Sequence, residues 1–261
     1  MTSVYDLNGK VAVVTGGAGA IGGAICEKLA SCGATVVVSD VATEKGEAFA
    51  KTLGNNSSFC YCDISKYESV QQLIDTVVEC YGKLDIMVNN AGINTGKPEE
   101  RVTTDQYPVE TWHKIIGIDL DGTFYCCQLA SRQMIKQGGG NIINVASVAG
   151  VVALRLQVGF VAAKAAIIRM SEAMACELGP KGIRVNVLSP GSTLFEGTRK
   201  LFYANKDFAD RLLSFIPAGR PADVTEMGEA VAFLASDASQ YMNGHNLIVD
   251  GGWTCGFNRD F

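Results

Sequence analysis

Short β-branched apolar runs alternate with stretches of helical spacing almost from the start of the chain, and this alternation most constrains what it can fold into. Val11–Thr15 is an apolar run that ends in a cluster of glycines. Ile21, Ala24, Ile25 and Leu29 then repeat at helical spacing, and Gly33 reads as a helix stop. Further strands are predicted at 35–39, 59–62, 84–88, 141–146, 183–188 and 247–249, with helices over about 44–53, 65–81, 111–137, 158–178 and 225–236. Strands that are apolar throughout need cover on both faces, which parallel strands joined by right-handed helical crossovers provide. The expected fold is therefore α/β: one doubly wound parallel sheet of the Rossmann type with helices on both faces, a single domain over 1–261. The least regular segments, 93–107 and 192–219, both follow strands at the carboxyl edge of the sheet, where such folds bind ligands. The second reads as a substrate loop or lid.

Bulk properties remove several function classes. A net charge of −5 argues against nucleic acid or an anionic membrane as partner. Nine cysteines occur without a C-x-x-C pair, and the two histidines, His113 and His245, lack zinc-ligand spacing. The cysteines read as small apolar core residues in a reducing cytoplasm, and no metal is expected. The first ten residues carry no long apolar stretch, and no run approaches the ~18 residues of a membrane helix.

The segment from Thr15 through Gly16, Gly17, Ala18, Gly19, Ala20 and Ile21 to Gly22 joins the first strand to the first helix. Glycines there allow backbone to approach a pyrophosphate, and the helix N-terminus offers free N–H groups and partial positive charge. A bare glycine-rich turn also fits any tight strand-to-helix connection; its place inside a βαβ unit makes it a nucleotide site. Asp40 ends the second strand, eighteen positions after Gly22. Its carboxylate suits the adenosine ribose hydroxyls and would repel a 2′-phosphate, so NAD is expected rather than NADP.

With these features in place the chain resembles the short-chain dehydrogenase/reductase family over nearly its whole length. The glycine turn is similar to the family's TGxxxGxG, with Ala20 in place of the middle glycine. Asn89, Asn90, Ala91 and Gly92 match its NNAG element, and Pro190 and Gly191, with Thr193 just beyond, its nicotinamide-side PG element. Asp63 and Ile64 fall where the family contacts adenine, and 249–252 match its C-terminal signature. The family's catalytic Ser, Tyr and Lys are spaced by thirteen and then four residues. Ser147 and Lys164 keep that frame, but the tyrosine position holds Phe160. No tyrosine lies between Tyr125 and Tyr203, so a shifted register cannot supply the phenol. Asp119 takes the place of the family's catalytic asparagine, which anchors a water, in a form that looks like the branch acting on polyols, ketoses and small carbonyls; a helix carboxylate bonded to nearby backbone is the alternative.

The resemblance implies that the phenol moves a proton on the substrate oxygen while the nicotinamide moves hydride. Lys164 would lower the phenol pKa and reach the nicotinamide ribose, and Ser147 would hold the substrate oxygen. Phenylalanine keeps the ring and deletes the titrating oxygen, a loss of about 10²–10⁴ in rate for a positioned general acid. Two readings follow. The chain is a Tyr-to-Phe inactivated form of a dehydrogenase, or a natural NAD-binding module that serves as sensor or scaffold.

Three segments are expected to line the substrate site. They are Asn94, Thr95, Lys97, Glu99, Glu100 and Arg101 after the NNAG element; Leu154, Arg155 and Gln157 before Phe160; and Phe195, Glu196 and Arg199 after Gly191. This polar mixture favours a sugar, polyol or sugar acid over a steroid or fatty-acyl chain, with Arg155 a partner for a carboxylate or phosphate. The broad apolar faces of 111–137 and 158–178 suggest burial against another subunit, and the resemblance implies a homotetramer. The aromatic tail 253–261 is expected to be ordered.

Overall fold

The structure is a computed structural model and describes residues 5–94 and 98–256. Seven strands form one parallel sheet in the order β3–β2–β1–β4–β5–β6–β9. They are β1 Val11–Thr15, β2 Thr35–Asp40, β3 Ser58–Tyr61, β4 Ile86–Asn89, β5 Gly140–Val145, β6 Ile183–Pro190 and β9 Asn246–Val249. A separate parallel pair joins β7 Thr193–Leu194 to β8 Ala222–Asp223. The predicted single doubly wound sheet is therefore present, with each predicted strand found within two residues.

Two-sided burial is visible residue by residue. Along β1, Val11 and Val13 point into one core, while Ala12 and Val14 point into the other. The core of Ala12 and Val14 lies under α1 Ala20–Ser31, α2 Thr43–Leu53 and α9 Val224–Ala235. The core of Val11 and Val13 lies under α3 Tyr67–Tyr81, α5 Thr123–Gln137 and α6 Val158–Leu178. Each fully buried valine or isoleucine contributes roughly 1.5–3 kcal/mol, so both faces of the central strands are committed to helices. Their backbone ends, gathered at one edge, remain for ligands. Among the described residues no helix is long and apolar enough to cross a membrane.

Two regions depart from the sequence reading. The predicted helix 111–137 is three pieces: α4 Val109–Ile115, a wide π-type run over Ile116–Gly122, and α5. Apolar spacing does not register one extra residue per turn, and such wide turns occur often at functional sites. The segment read as irregular, 192–219, is mostly helical: β7, a short α7 Glu196–Thr198, a second wide turn Arg199–Tyr203, and α8 Lys206–Leu213.

That segment is pinned at its far end. Asp223 accepts from Thr225 N at 2.9 Å, Glu226 accepts from Asp223 N at 2.8 Å, and Arg220 reaches both Glu226 oxygens at 2.8 Å. The Arg220 guanidinium, with the Asp223 N–H, pulls the Glu226 carboxyl down to about 2. An unfolded glutamate titrates near ~4.3. A depressed folded value stabilises the protein above the unfolded value, and this is lost as pH falls through the folded one. Glu226→Gln is expected to lower the thermal midpoint at pH 7, with the difference from the parent shrinking below pH 4 and vanishing only below pH 2. Parallel melts across that range check it.

Candidate active site

The turn between β1 and α1 folds back on itself and opens a cavity. Gly16 takes φ +63°, a left-handed conformation that a side chain would strain. A side chain at Gly22 would strike the Gly16 carbonyl, and one at Gly16 would meet Ala91 Cα at 2.9 Å. The N-cap of α1, Gly19, makes no side-chain cap, so the first-turn N–H groups are left for a ligand. Ala20 begins the helix with no positive φ, so the missing middle glycine costs the turn nothing.

The cavity measures about 390 Å³ and is bounded by this turn, the ends of β2 and β3, and the NNAG element. Gly16, Gly19, Ala20, Ile21, Gly22, Asp40, Asp63, Ile64, Asn90, Ala91 and Gly92 all line it. Val41, Cys62, Ile93, Ile118 and Phe195 complete the wall. Of these, Ile118 was hidden from the sequence because it sits in the wide turn. Burial pushes the Cys62 thiol up to about 11, so it is an apolar wall rather than a nucleophile.

Asp40 accepts Ala18 N at 3.1 Å on one oxygen and Ala42 N at 3.0 Å on the other, which fixes the carboxylate at the cavity edge with lone pairs to spare. Asp63 is turned to its own loop. It accepts from Ser65 Oγ at 2.7 Å and pairs with Lys66 at 3.2 Å, and these contacts hold its carboxyl below the ordinary range. Ile64 is the buried neighbour. Asn90 Nδ2 donates to the Thr15 carbonyl at 2.9 Å and so ties the NNAG element to the glycine turn. Beyond β4 and β5, Pro190 ends β6, Gly191 lies so close to Asp250 that a side chain there would meet Asp250 Cα at 2.6 Å, and Thr193 is buried in β7. A bare helix N-terminus, a turn of glycine and alanine only, and a carboxylate at the second strand's end make a cradle that fits a dinucleotide.

At the other end of the cavity the structure brings together Asp119, Lys164, Gly92 and the end of β5. Lys164 Nζ lies 3.2 Å from Asp119 Oδ2 and 3.3 Å from the Val145 carbonyl. The lysine side chain is 6% exposed and the aspartate 0%. The second Asp119 oxygen accepts Ile93 N at 2.7 Å. The wide turn aims this carboxylate inward, and Thr123 Oγ1 donates to the Asp119 carbonyl at 2.6 Å. Gly92 leaves the room: a Cβ there would lie 3.0 Å from Asp119 Oδ2 and 3.1 Å from Lys164 Nζ. Asp119 thus neutralises the lysine directly. Lys164 Nζ has three N–H groups and donates one hydrogen bond, to Val145, while it meets Asp119 Oδ2 as an ion pair. Phe160, one turn earlier on α6, presents its ring 5.5 Å from Lys164 Nζ. Ser147 follows β5, half-buried, and its Oγ accepts Ala149 N at 3.1 Å, which leaves its O–H free to donate.

The predicted substrate residues divide. Asn94 Nδ2 donates to Gln157 Oε1 at 2.8 Å, and Gln157 is buried at the head of α6. Arg155 is exposed instead and borders a second hollow of about 320 Å³ with Val102, Thr103, Thr104 and Leu154. None of the residues around that hollow lines the first cavity. Leu156, next in sequence to Arg155, takes φ +65° just before α6. Thr95, Lys97 and the tail beyond Gly256 lie outside the described residues.

A family model described as enoyl-(acyl carrier protein) reductase matches residues 16–254. The chain belongs to the short-chain dehydrogenase/reductase family. This short-chain dehydrogenase/reductase is 38% identical to a D-threitol dehydrogenase of Mycolicibacterium smegmatis, over 96% of this chain and 95% of that protein. It is 36% identical to an NAD-dependent glycerol dehydrogenase of Listeria innocua, over 96% of each. Among solved structures it superposes on a gluconate 5-dehydrogenase of Burkholderia cenocepacia in complex with NADP and tartrate. The TM-score is 0.91 at 34% identity, covering 97% of this chain and 98% of that one. The cofactor of this family is a nicotinamide dinucleotide.

The buried ion pair makes a prediction about stability. Asp119→Leu strands the Lys164 ammonium and is expected to cost about 3–5 kcal/mol in denaturant unfolding, whereas Asp119→Leu with Lys164→Met recovers most of that loss. Equal stability of the single and double variants would contradict the pairing.

Proposed function

We propose that this short-chain dehydrogenase/reductase binds NAD and is built to interconvert a secondary alcohol and a ketone on a small hydroxylated substrate, with proton transfer impaired by Phe160. The observation that carries the reading is the cluster at the cavity's inner end. The Lys164–Asp119 pair there lies beside the bare ring of Phe160, and Ser147, closing β5, keeps a hydroxyl free to donate. The bound dinucleotide would supply or accept hydride.

The rest falls to the chain's own groups. The α1 N-terminus and the glycine turn hold the pyrophosphate, and Asp40 takes the ribose hydroxyls. Lys164 keeps N–H capacity beyond its bond to Val145 for a ribose hydroxyl. The Ser147 hydroxyl donates to the substrate oxygen and sets its position. What is missing is a group at position 160 that can exchange a proton with that oxygen.

NAD is favoured over NADP because a fixed carboxylate at Asp40 repels a 2′-phosphate, and Val41, Ala42 and Thr43 bring no cation to offset it. The similarity to threitol and glycerol dehydrogenases supports a polyol, sugar or sugar acid. A steroid or fatty-acyl substrate, nearer the family model's description, fits less well with the polar pair Asn94–Gln157 beside the cleft. Exposed Phe124 and Ile135 on α5 support assembly through that helix, in keeping with a homotetramer.

Phe160→Tyr is expected to raise NAD-dependent oxidation of polyols by about 10²–10⁴-fold over the parent. A variant that binds NAD yet oxidises no polyol, sugar or alcohol would favour a binding module instead. In calorimetry NAD is expected to bind more tightly than NADP, and Asp40→Asn to narrow that gap.

A further inference from the structure

Two arginines of this protein sit in comparable half-buried settings, and they differ in one respect. Arg184 donates to Ser239 Oγ and to the carbonyls of Leu234, Ser236 and Met242, so its buried charge is fully engaged. Arg101 makes no hydrogen bond and no ion pair among the described residues, and its buried Nε has no partner. Burial pulls the guanidinium pKa down at both sites. A buried polar group left unpaired is expensive, and structures retain such groups where a ligand completes them.

The setting of Arg101 says where that ligand comes from. It stands just after the Pro98–Glu100 turn, on the segment that leaves the NNAG element through Asn94. Its guanidinium carbon lies 5.0 Å from the centroid of the Phe202 ring, and Phe202 stacks on Phe208 at 6.3 Å. Phe202 belongs to the same helical segment as Phe195, which walls the dinucleotide cavity. Arg101 therefore bridges the two loops at the carboxyl edge. The ring face orients the planar fork, whose N–H groups have no protein partner among the described residues, and such a fork suits a bidentate oxyanion. Glu99 and Glu100 are adjacent in sequence, yet neither pairs with it.

We propose that Arg101, rather than Arg155, is the anion-recognising residue of the substrate cleft, and that the substrate is a small polyhydroxylated anion whose charged end meets this guanidinium while a hydroxyl-bearing carbon lies toward Ser147. This rests on the oxidoreductase reading above and narrows its substrate class. Phe202 is a positioning residue that acts by holding the fork.

The chain as it stands suits a binding test, because Phe160 slows turnover. With NAD saturating, calorimetry compares D-gluconate and L-tartrate as carboxylates, D-glucose 6-phosphate as a phosphate, and D-glucitol as the neutral counterpart of gluconate. At least one anion is expected to bind more tightly than glucitol, and which one distinguishes a carboxylate from a phosphate end group. Arg101→Gln is expected to weaken that anion by about tenfold or more, with NAD and glucitol affinities unchanged. Arg101→Lys should restore part of the loss, and Phe202→Leu should lose several-fold for the anion alone. No anion preference in the parent, or equal losses of anion and glucitol in Arg101→Gln, overturns the proposal. Failure of the parent to take up NAD would instead sink the reading of function, so the two failures are separable.

Discussion

The need to bury the central parallel strands on both faces governs the rest of this molecule. Ala12 and Val14 look one way, Val11 and Val13 the other, and neither face can be left to water. Helices must therefore run back across both faces, and every strand of the sheet points the same way. The carboxyl ends of β1, β4, β5 and β6 then collect along one edge, with the glycine turn, the NNAG element, Ser147 and Gly191 at their tips. The site is a consequence of how the core is covered.

Within that edge, the electrostatic centre is the Lys164–Asp119 pair. A wholly buried ammonium is tolerable only with a partner, and the wide turn over Ile116–Gly122 delivers one at 3.2 Å. This changes how the lysine should be regarded. A carboxylate at this distance offsets its positive charge, so a phenol one turn away would feel a weaker field than beside an unpaired ammonium. The same carboxylate holds Ile93 N, and so couples the charge pair to the start of the loop that walls the substrate side.

The two loops flanking the edge meet through one cation, Arg101, set over the Phe202 ring. Arg101, Phe202 and Phe208 give this contact its shape, while the clamp of Arg220 and Glu226 fixes the far end of the second loop. The loops are thus held at defined points yet leave the guanidinium edge unsatisfied, a combination better suited to receiving a charged ligand than to filling a core.

The sequence by itself determined the sheet, the crossovers, the glycine turn, Asp40, and the Ser147, Phe160 and Lys164 frame. These rest on local periodicity and fixed spacing, which backbone geometry converts directly into position. The partner of Lys164 was decided only by tertiary structure, because the wide turn that aims Asp119 inward leaves no trace in the apolar pattern. The choice between Arg101 and Arg155 was likewise out of reach. Both lie in polar loops of similar composition. Only the left-handed turn at Leu156, which accompanies an exposed Arg155, and the ring of Phe202, about a hundred residues from Arg101, separate a solvated charge from a half-buried one with no protein partner among the described residues.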